Sequence, residues 1–251
     1  SFPRVLSSMA QVRDFDVSQL AGVLIVCGHY GVGKTALSLS LAKDAFRAGK
    51  HVTLVDLDVV NPYFRSSDQA QSLRAAGISV ITPVYAGPDC NIDMPALTGA
   101  VAPAIERASS DAGELCIIDV GGDDAGAAAL GRFSRTIASA PYEMWYVVNR
   151  YRALTRDPHE ACEVLYEIER ASRLRATAIV ANSHLMGDTD EDAISQSLPF
   201  AREVACAVGL PLAAVCVPAS CADVARERLS QEGADVALYQ IDPYRQTPWS
   251  N

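Results

Sequence analysis

The chain of 251 residues lacks several features that mark whole classes of protein. It has no excess of positive charge, since its formal net charge is −9, and a general attraction to nucleic acid or to an anionic membrane is therefore disfavoured. It has no apolar run of spanning length, and residues 1–19 lack the apolar core of a signal peptide. Its seven cysteines form no CxxC or CxC pair, which fits buried, reduced thiols better than a metal or redox site. We therefore expect a cytoplasmic protein with neither nucleic acid nor membrane among its partners.

Short apolar stretches alternate along the chain with stretches of helical periodicity. The apolar stretches predict strands at 23–27, 51–57, 78–82, 115–119, 143–148, 176–181 and 212–217. The periodic stretches predict helices at 34–48, 63–76, 95–110, 126–139, 157–172, 190–208 and 219–232. Nearly continuous apolar strands separated by helices indicate a parallel sheet that is buried on both faces. We expect a three-layer α/β/α fold with a mainly parallel sheet of about seven strands.

The pattern is not divided by a repeat, a low-complexity tract or a long linker. We expect one domain over residues 21–235, with a lead-in at 1–20 and a tail of the same domain at 236–251. The tail contains two prolines from residue 242 onward and no basic amphipathic helix, so it does not indicate membrane targeting.

The segment GHYGVGKT at residues 28–35 follows the apolar stretch VLIVC and precedes a predicted helix. Glycines in such a turn let successive backbone N–H groups point at an anion, and the helix N-terminus adds its positive dipole end. The Lys34 ammonium suits the β- and γ-phosphates of a nucleoside triphosphate, and the Thr35 hydroxyl suits a bound Mg²⁺. A chance glycine-rich turn explains this setting poorly. We expect the phosphates to lie against this segment and the start of the helix, namely Gly28, His29, Tyr30, Gly31, Val32, Gly33, Lys34, Thr35 and Ala36.

Acidic residues follow two of the predicted strands, at the edge where parallel sheets bind ligands. Asp56 and Asp58 occupy alternate positions at one strand end and so face the same side, where a magnesium ion with its waters would offset their repulsion. The alternative is that Asp56 satisfies backbone groups or Lys34 and that Asp58 caps a turn. Asp119 ends another strand before Gly121 and Gly122, which suits a metal-associated carboxylate and a loop that reaches the γ-phosphate.

A further polar residue, Asn182, ends the predicted strand at 176–181, where its amide presents a donor and an acceptor that suit the edge of a base. The guanine-reading pattern NKxD is absent, since the segment reads NSHL, and adenine is therefore favoured. Pro218 provides an apolar platform for the base or simply ends its strand. Three arginines are candidates for phosphate or acidic-substrate contacts, or else for surface ion pairs: Arg65, Arg150 and Arg152.

In their order along the chain, GHYGVGKT, VDLDVVNP, the DVGG segment at 119–122 and the Asn182 strand end resemble the MinD/ParA/CobQ/CobB branch of P-loop NTPases. The similarity covers residues 22–220, and GHYGxGKT with DxDxVNPYFR is similar to a bacterial subgroup of ATP-binding proteins. The resemblance implies ATP or ADP with Mg²⁺ as ligands and Lys34 and Thr35 as the phosphate and Mg²⁺ residues. It implies Asp58 as the acid that positions the attacking water, Asp119 as the strand-end metal acid and Asn182 as the adenine reader.

One position departs from the family pattern. Members that dimerise around ATP carry KGGxGKT, whose first lysine crosses to the nucleotide of the partner, and the corresponding positions here are His29 and Tyr30. A neutral imidazole does not replace a fixed ammonium, although a protonated one does so in part. A homodimer therefore stays an open alternative.

Three functions are compatible with these residues. The favoured one is a slow, Mg²⁺-dependent ATPase that acts as a nucleotide-dependent switch, in which hydrolysis releases loops near Asp58 and Gly121 and signals to a partner protein. The alternative is an ATP-dependent synthetase of the CobQ/CobB type that phosphorylates a small carboxylate substrate. Its second pocket would be lined by Asn61, Tyr63, Arg65, Arg150 and Arg152. The third is nucleotide binding without turnover, against which the intact acids argue.

Overall fold

The computed structural model describes residues 11–58, 68–83, 94–152, 155–182 and 191–241. A β-sheet lies at the centre of this part of the protein. Within these ranges nine strands form one sheet in which every pairing is parallel. The strands are β1 Val12–Asp14, β2 Gly22–Cys27, β3 His51–Leu57, β4 Ser79–Ile81, β5 Glu114–Val120, β6 Tyr142–Val148, β7 Ala178–Ala181, β8 Leu212–Pro218 and β9 Val236–Ile241. Their order across the sheet is β1-β9-β8-β7-β6-β2-β5-β3-β4.

The seven predicted strands are confirmed as β2 to β8, and the sheet contains two more. β1 and β9 pair with each other at one edge, with Val12 opposite Val236. β1 has only three residues, too few to show a periodicity. β9 reads VALYQI and is buried at five of its six positions, so its apolar pattern was sufficient to predict a strand.

The described residues also contain eight α-helices. They are α1 Lys34–Arg47, α2 Asp68–Ala75, α3 Met94–Ser110, α4 Asp124–Gly131, α5 Ser134–Ile137, α6 Pro158–Ser172, α7 Glu191–Val208 and α8 Ala222–Gln231. The first part of the helix predicted at 63–76 lies outside the described residues. None of the helices in the described part combines the length and the apolarity needed to cross a bilayer.

Two helix boundaries show how local chemistry refines the pattern. α6 begins as predicted, because Asp157 accepts a hydrogen bond from the His159 N–H at 2.8 Å and Pro158 occupies the first turn. The single helix predicted at 126–139 is instead α4 and α5. Gly131 ends α4 beside the last turn of α6, where a Cβ would lie 2.7 Å from the Ala171 carbonyl oxygen, so no larger residue fits there without a shift.

The core lies on both faces of the sheet and confirms the three-layer arrangement. One face packs against α1 and α2, with Leu24 and Ile117 of the sheet meeting Leu37 and Leu73. The other face packs against α3, α4, α6, α7 and α8. Because successive residues of a strand face opposite sides, the positions of β3 and β5 that face α1 include Asp56 and Asp119.

Candidate functional site

The glycine-rich segment connects the carboxyl end of β2 to the first residue of α1, Lys34. Gly33 has a φ of +92° immediately before the helix, a left-handed conformation that favours glycine. Gly28 lies so close to β6 that a Cβ would be 2.6 Å from the Val147 carbonyl oxygen. The segment therefore needs glycine both to turn into the helix and to pass over the neighbouring strand.

The Lys34 side chain folds back under the segment and is only 7% exposed. Its Nζ donates to the His29 carbonyl oxygen at 3.0 Å. Burial lowers the pKa of the Lys34 ammonium, while the negative charge of Asp119 is the largest effect that opposes this shift. An ammonium in this position gains from an added anion, which is what a phosphate group supplies.

Thr35 and Asp119 join α1 to the end of β5. The Thr35 hydroxyl donates to one Asp119 carboxylate oxygen at 2.7 Å, and the Ser38 hydroxyl lies 3.4 Å from the other. Asp119 is 2% exposed, and burial raises its pKa to about 6, although the Thr35 hydrogen bond and the Lys34 charge oppose this shift. A buried carboxylate of this kind is stabilised by a nearby cation.

The oxygen atoms of this cluster are the hard donors that Mg²⁺ prefers. Among the described residues no three His, Cys, Asp or Glu side chains come together as a metal site. A magnesium ion here would therefore depend on the Thr35 hydroxyl, phosphate oxygens and water in addition to carboxylates, which is the usual manner of binding for this ion.

Asp56 and Asp58 take different parts at the end of β3. Asp56 is fully buried opposite Asp119 in the sheet register, and its Oδ1 accepts the Asp58 N–H at 2.9 Å. Asp58 is half-buried and faces the β5 end, since a Cβ on Gly121 would lie 3.3 Å from Asp58 Oδ1. Asp56 therefore shapes the strand end, and Asp58 is the acid that is presented toward the following loops.

The loop after β5 packs directly on the glycine-rich segment. A Cβ on Gly122 would lie 2.6 Å from both the N and the Cα of Tyr30 and 3.0 Å from the carbonyl carbon of His29. One residue further on, Asp123 caps α4 by accepting the Gly126 N–H at 2.8 Å. The backbone at Gly122 is thus in contact with the loop expected to hold phosphate, while its approach to the γ-phosphate stays a prediction.

Asn182 lies beneath the same loop and is fully buried. Its Nδ2 donates to the Val32 carbonyl oxygen at 2.7 Å, while its Oδ1 is buried without a hydrogen-bond partner in the described part of the chain. Pro218 is buried at the end of β8, the strand next to the one that Asn182 follows. Neither placement tests the assignment of these residues to the base, which stays a prediction.

The arginines differ in their surroundings. Arg150 donates to the Gln196 carbonyl oxygen of α7 at 3.0 Å and lies over the Tyr151 ring at 5.8 Å. Arg152 lies beside Gly31 of the glycine-rich segment. Arg65 lies outside the described residues, as do Asn61 and Tyr63 of the expected second pocket.

Two details of the site were not predicted from the sequence. Ser38 reaches Asp119 because it lies three positions after Thr35 on the same face of α1, and this spacing was a usable signal. Arg152 was named as a candidate for phosphate contacts, but its position beside Gly31, about 120 positions away in the sequence, depends on the sheet order that brings β6 next to β2.

Comparisons with known proteins agree with this geometry. The model of the CobQ/CobB/MinD/ParA nucleotide binding domain family matches residues 23–186. No curated protein matches the sequence significantly.

Solved structures of FtsY are similar to the chain. FtsY from Mycoplasma mycoides has 17% identity and a TM-score of 0.51, over 82% of this chain and 63% of that one. FtsY from Thermotoga maritima has 23% identity and a TM-score of 0.50, over 83% and 65%. The signal recognition particle receptor FtsY from Elizabethkingia anophelis, in complex with GDP, has 17% identity and a TM-score of 0.52, over 84% and 61%. The chain thus spans less than two thirds of each of these structures, and the likeness is one of fold.

Proposed function

The chain belongs to the CobQ/CobB/MinD/ParA family of nucleotide-binding domains, and from this premise we propose that it is a slow, Mg²⁺-dependent ATPase that works as a nucleotide-dependent switch. The observation that carries the proposal is the 2.7 Å hydrogen bond from Thr35 to Asp119. It joins the first turn of the helix after a glycine-rich loop to the end of β5, in the arrangement that a metal-bound triphosphate requires.

The residues have separate roles in the proposed reaction. Lys34 binds the β- and γ-phosphates, and Thr35 and Asp119, with Asp58 nearby, would hold Mg²⁺. When bound, the ion supplies positive charge that neutralises the phosphates. Asp58 orients a water molecule, since its carboxylate is half-buried and faces the β5 loop.

The choice of adenine rests on the side-chain oxygen of Asn182, which has no hydrogen-bond partner among the described residues. Its Nδ2 is already committed to the Val32 carbonyl, and its Oδ1 is left to accept a hydrogen bond. At position 6 of the purine, adenine carries an amino donor where guanine carries a carbonyl acceptor, so an acceptor that faces this position favours ATP. GTP is the competing ligand, because one FtsY structure of similar fold is a complex with GDP.

The switch rests on the contact between Gly122 and the loop backbone at Tyr30. A γ-phosphate bound next to this contact would move or order the loop after β5. Helix α4 would move with this loop, because its N-cap residue Asp123 directly follows Gly122. Tyr30 of the glycine-rich loop is 66% exposed. A partner protein or a second copy of the chain would therefore bind at Tyr30 and respond to the change in conformation. We propose the cytoplasm as the compartment of this exchange, and the free thiols of the six cysteines in the described ranges support that proposal.

Calorimetric titration with ATP and with GTP, each in Mg²⁺ and in EDTA, tests the nucleotide and its metal. We expect ATP to bind more tightly than GTP and Mg²⁺ to strengthen binding. The Lys34→Ala variant loses a charge-assisted contact of about 1.5–3 kcal/mol, which corresponds to roughly tenfold to hundredfold weaker binding. Lys43→Ala, on the exposed side of the same helix, is the matched control and should bind as the wild type does. Equal affinities of the two variants would contradict the proposal.

Turnover separates the switch from its alternatives. Release of phosphate from Mg²⁺-ATP without any second substrate supports the ATPase, whereas a rate that rises only with an added carboxylate and amine supports the synthetase. If the protein binds ATP but releases no phosphate under either condition, the result supports a module that binds nucleotide without turnover. Sizing the protein with and without a non-hydrolysable ATP analogue then shows whether the switch is a homodimer.

A further inference from the structure

The turn after β6 holds Arg152 in a fixed place. Asn149 is buried at the strand end, and its side-chain oxygen accepts the Tyr151 N–H at 3.0 Å. The Arg152 N–H donates to the Asn149 carbonyl oxygen at 3.1 Å, and the Thr155 hydroxyl donates to the same oxygen at 2.8 Å. These bonds fix the backbone from which the Arg152 side chain extends.

The Arg152 side chain lies beside Gly31 of the glycine-rich loop. Its Cδ and Nε both lie 3.8 Å from the position of a Cβ on Gly31, whose φ is +78°. The Nε is buried and has no hydrogen-bond partner within the residues described. Leaving a buried donor of a charged group unpaired destabilises the protein. A ligand with acceptor oxygens at the loop would remove that cost.

The other groups near the loop that belong to the described residues do not supply the same charge. His29 and Tyr30 precede Gly31 and carry no fixed positive charge. Arg150 is directed to the Gln196 carbonyl of α7. Lys34 contacts the loop from its inner side through the His29 carbonyl, whereas Arg152 lies against Gly31.

We propose that Arg152 is a catalytic residue that contacts the terminal phosphates of the bound nucleotide from within the same chain. The inference rests on the proposed ATPase function. In hydrolysis a water oxygen forms a bond to the γ-phosphorus and the bond to the bridging oxygen breaks, so that the electron pair stays on the ADP β-phosphate and the water proton passes to solvent. A guanidinium that donates to the phosphate oxygens stabilises the charge that develops in this step.

The test compares Arg152→Ala and Arg152→Lys with Arg156→Ala, an exposed arginine four positions further on. We expect Arg152→Ala to lower kcat by about 10³-fold or more, with little change in the affinity for ADP. It should also abolish trapping of ADP with fluoroaluminate, which imitates the transferring phosphoryl group. Arg152→Lys should recover only part of the rate, because an ammonium lacks the two-pronged donor geometry. Arg156→Ala should behave as the wild type does.

Two further measurements keep the outcome decisive. Added guanidinium ions should raise the rate of Arg152→Ala but not that of the wild type, which a merely structural role would not produce. Thermal unfolding checks that the variant is folded. If Arg152→Ala is poorly folded, the rate and the trapping are compared between the wild type and Arg152→Lys instead. An Arg152 variant with the wild-type rate and wild-type trapping overturns this inference alone. A wild-type protein that binds no ATP overturns the proposed function as well.

Discussion

Replacing Gly122 with alanine tests the contact that joins the two loops of the site. The added Cβ would lie 2.6 Å from the N and Cα of Tyr30, whereas ordinary contacts begin at 3.4 Å. Both neighbouring atoms are backbone, so the loops must separate by about 0.8 Å, and overpacking of this kind costs about 1–3 kcal/mol. The φ of Gly122 does not lie in the left-handed region, so the loss of stability caused by the alanine is steric.

Urea denaturation without nucleotide measures this cost, and Gly99→Ala is its matched control. Gly99 lies on the exposed side of α3, and a Cβ there would meet no atom of the described residues within 4 Å. We expect Gly99→Ala to raise the free energy of unfolding by about 0.5–1 kcal/mol, because glycine is unfavourable inside a helix. Gly122→Ala should lower it.

The same substitution should alter the response to nucleotide. If the Gly122 backbone reaches the γ-phosphate, separating the loops weakens the binding of ATP more than the binding of ADP. The ratio of the ATP affinity to the ADP affinity should therefore fall. Gly122→Ala with wild-type stability and a wild-type affinity ratio would refute the reasoning. Gly99→Ala should leave that ratio unchanged.

Two more predictions follow from buried polar groups. Asn182→Ala removes the donor to the Val32 carbonyl and should lower the free energy of unfolding by about 1–3 kcal/mol. It should also reduce the preference for ATP over GTP, and unchanged values in both assays would count against the role of this amide. Because the pKa of Asp119 is raised from 3.8 to about 6, the folded state holds its proton more tightly than the unfolded state does. In EDTA its contribution of about 3 kcal/mol is present below pH 4 and is lost as the pH rises through 6. Asp119→Asn should flatten this dependence in urea denaturation, and an equally steep dependence in the variant would contradict the prediction.

Much of the fold could be predicted because strand burial leaves a strong pattern. β2, β5 and β6 are apolar on both faces, and a stretch such as LCII before Asp119 is typical of a central parallel strand. β1 was not predicted because three residues are too few to show a hydrophobic periodicity. Its position at the edge of the sheet depends on its pairing with β9. The break between α4 and α5 depends on the approach of Gly131 to α6, a tertiary contact that periodicity cannot show.

The site was predictable where chemistry is local in the sequence. The loop, Lys34 and Thr35 are contiguous, and the strand-end position of Asp119 follows from its apolar neighbours. The partners of these groups were not predictable in the same way. The Val32 carbonyl that Asn182 binds and the Gly31 backbone beside which Arg152 lies are main-chain groups. The sequence does not indicate which distant side chain lies next to a given main-chain group.

The account depends most on the claim that the loop at 28–35 holds a triphosphate. A crystal structure of the protein with Mg²⁺ and a non-hydrolysable ATP analogue tests this claim directly. We predict phosphate density inside the loop, Lys34 Nζ turned from the His29 carbonyl to a phosphate oxygen, and a metal ion on the Thr35 hydroxyl. Nucleotide bound elsewhere, or a loop without phosphate at saturating analogue, would contradict it.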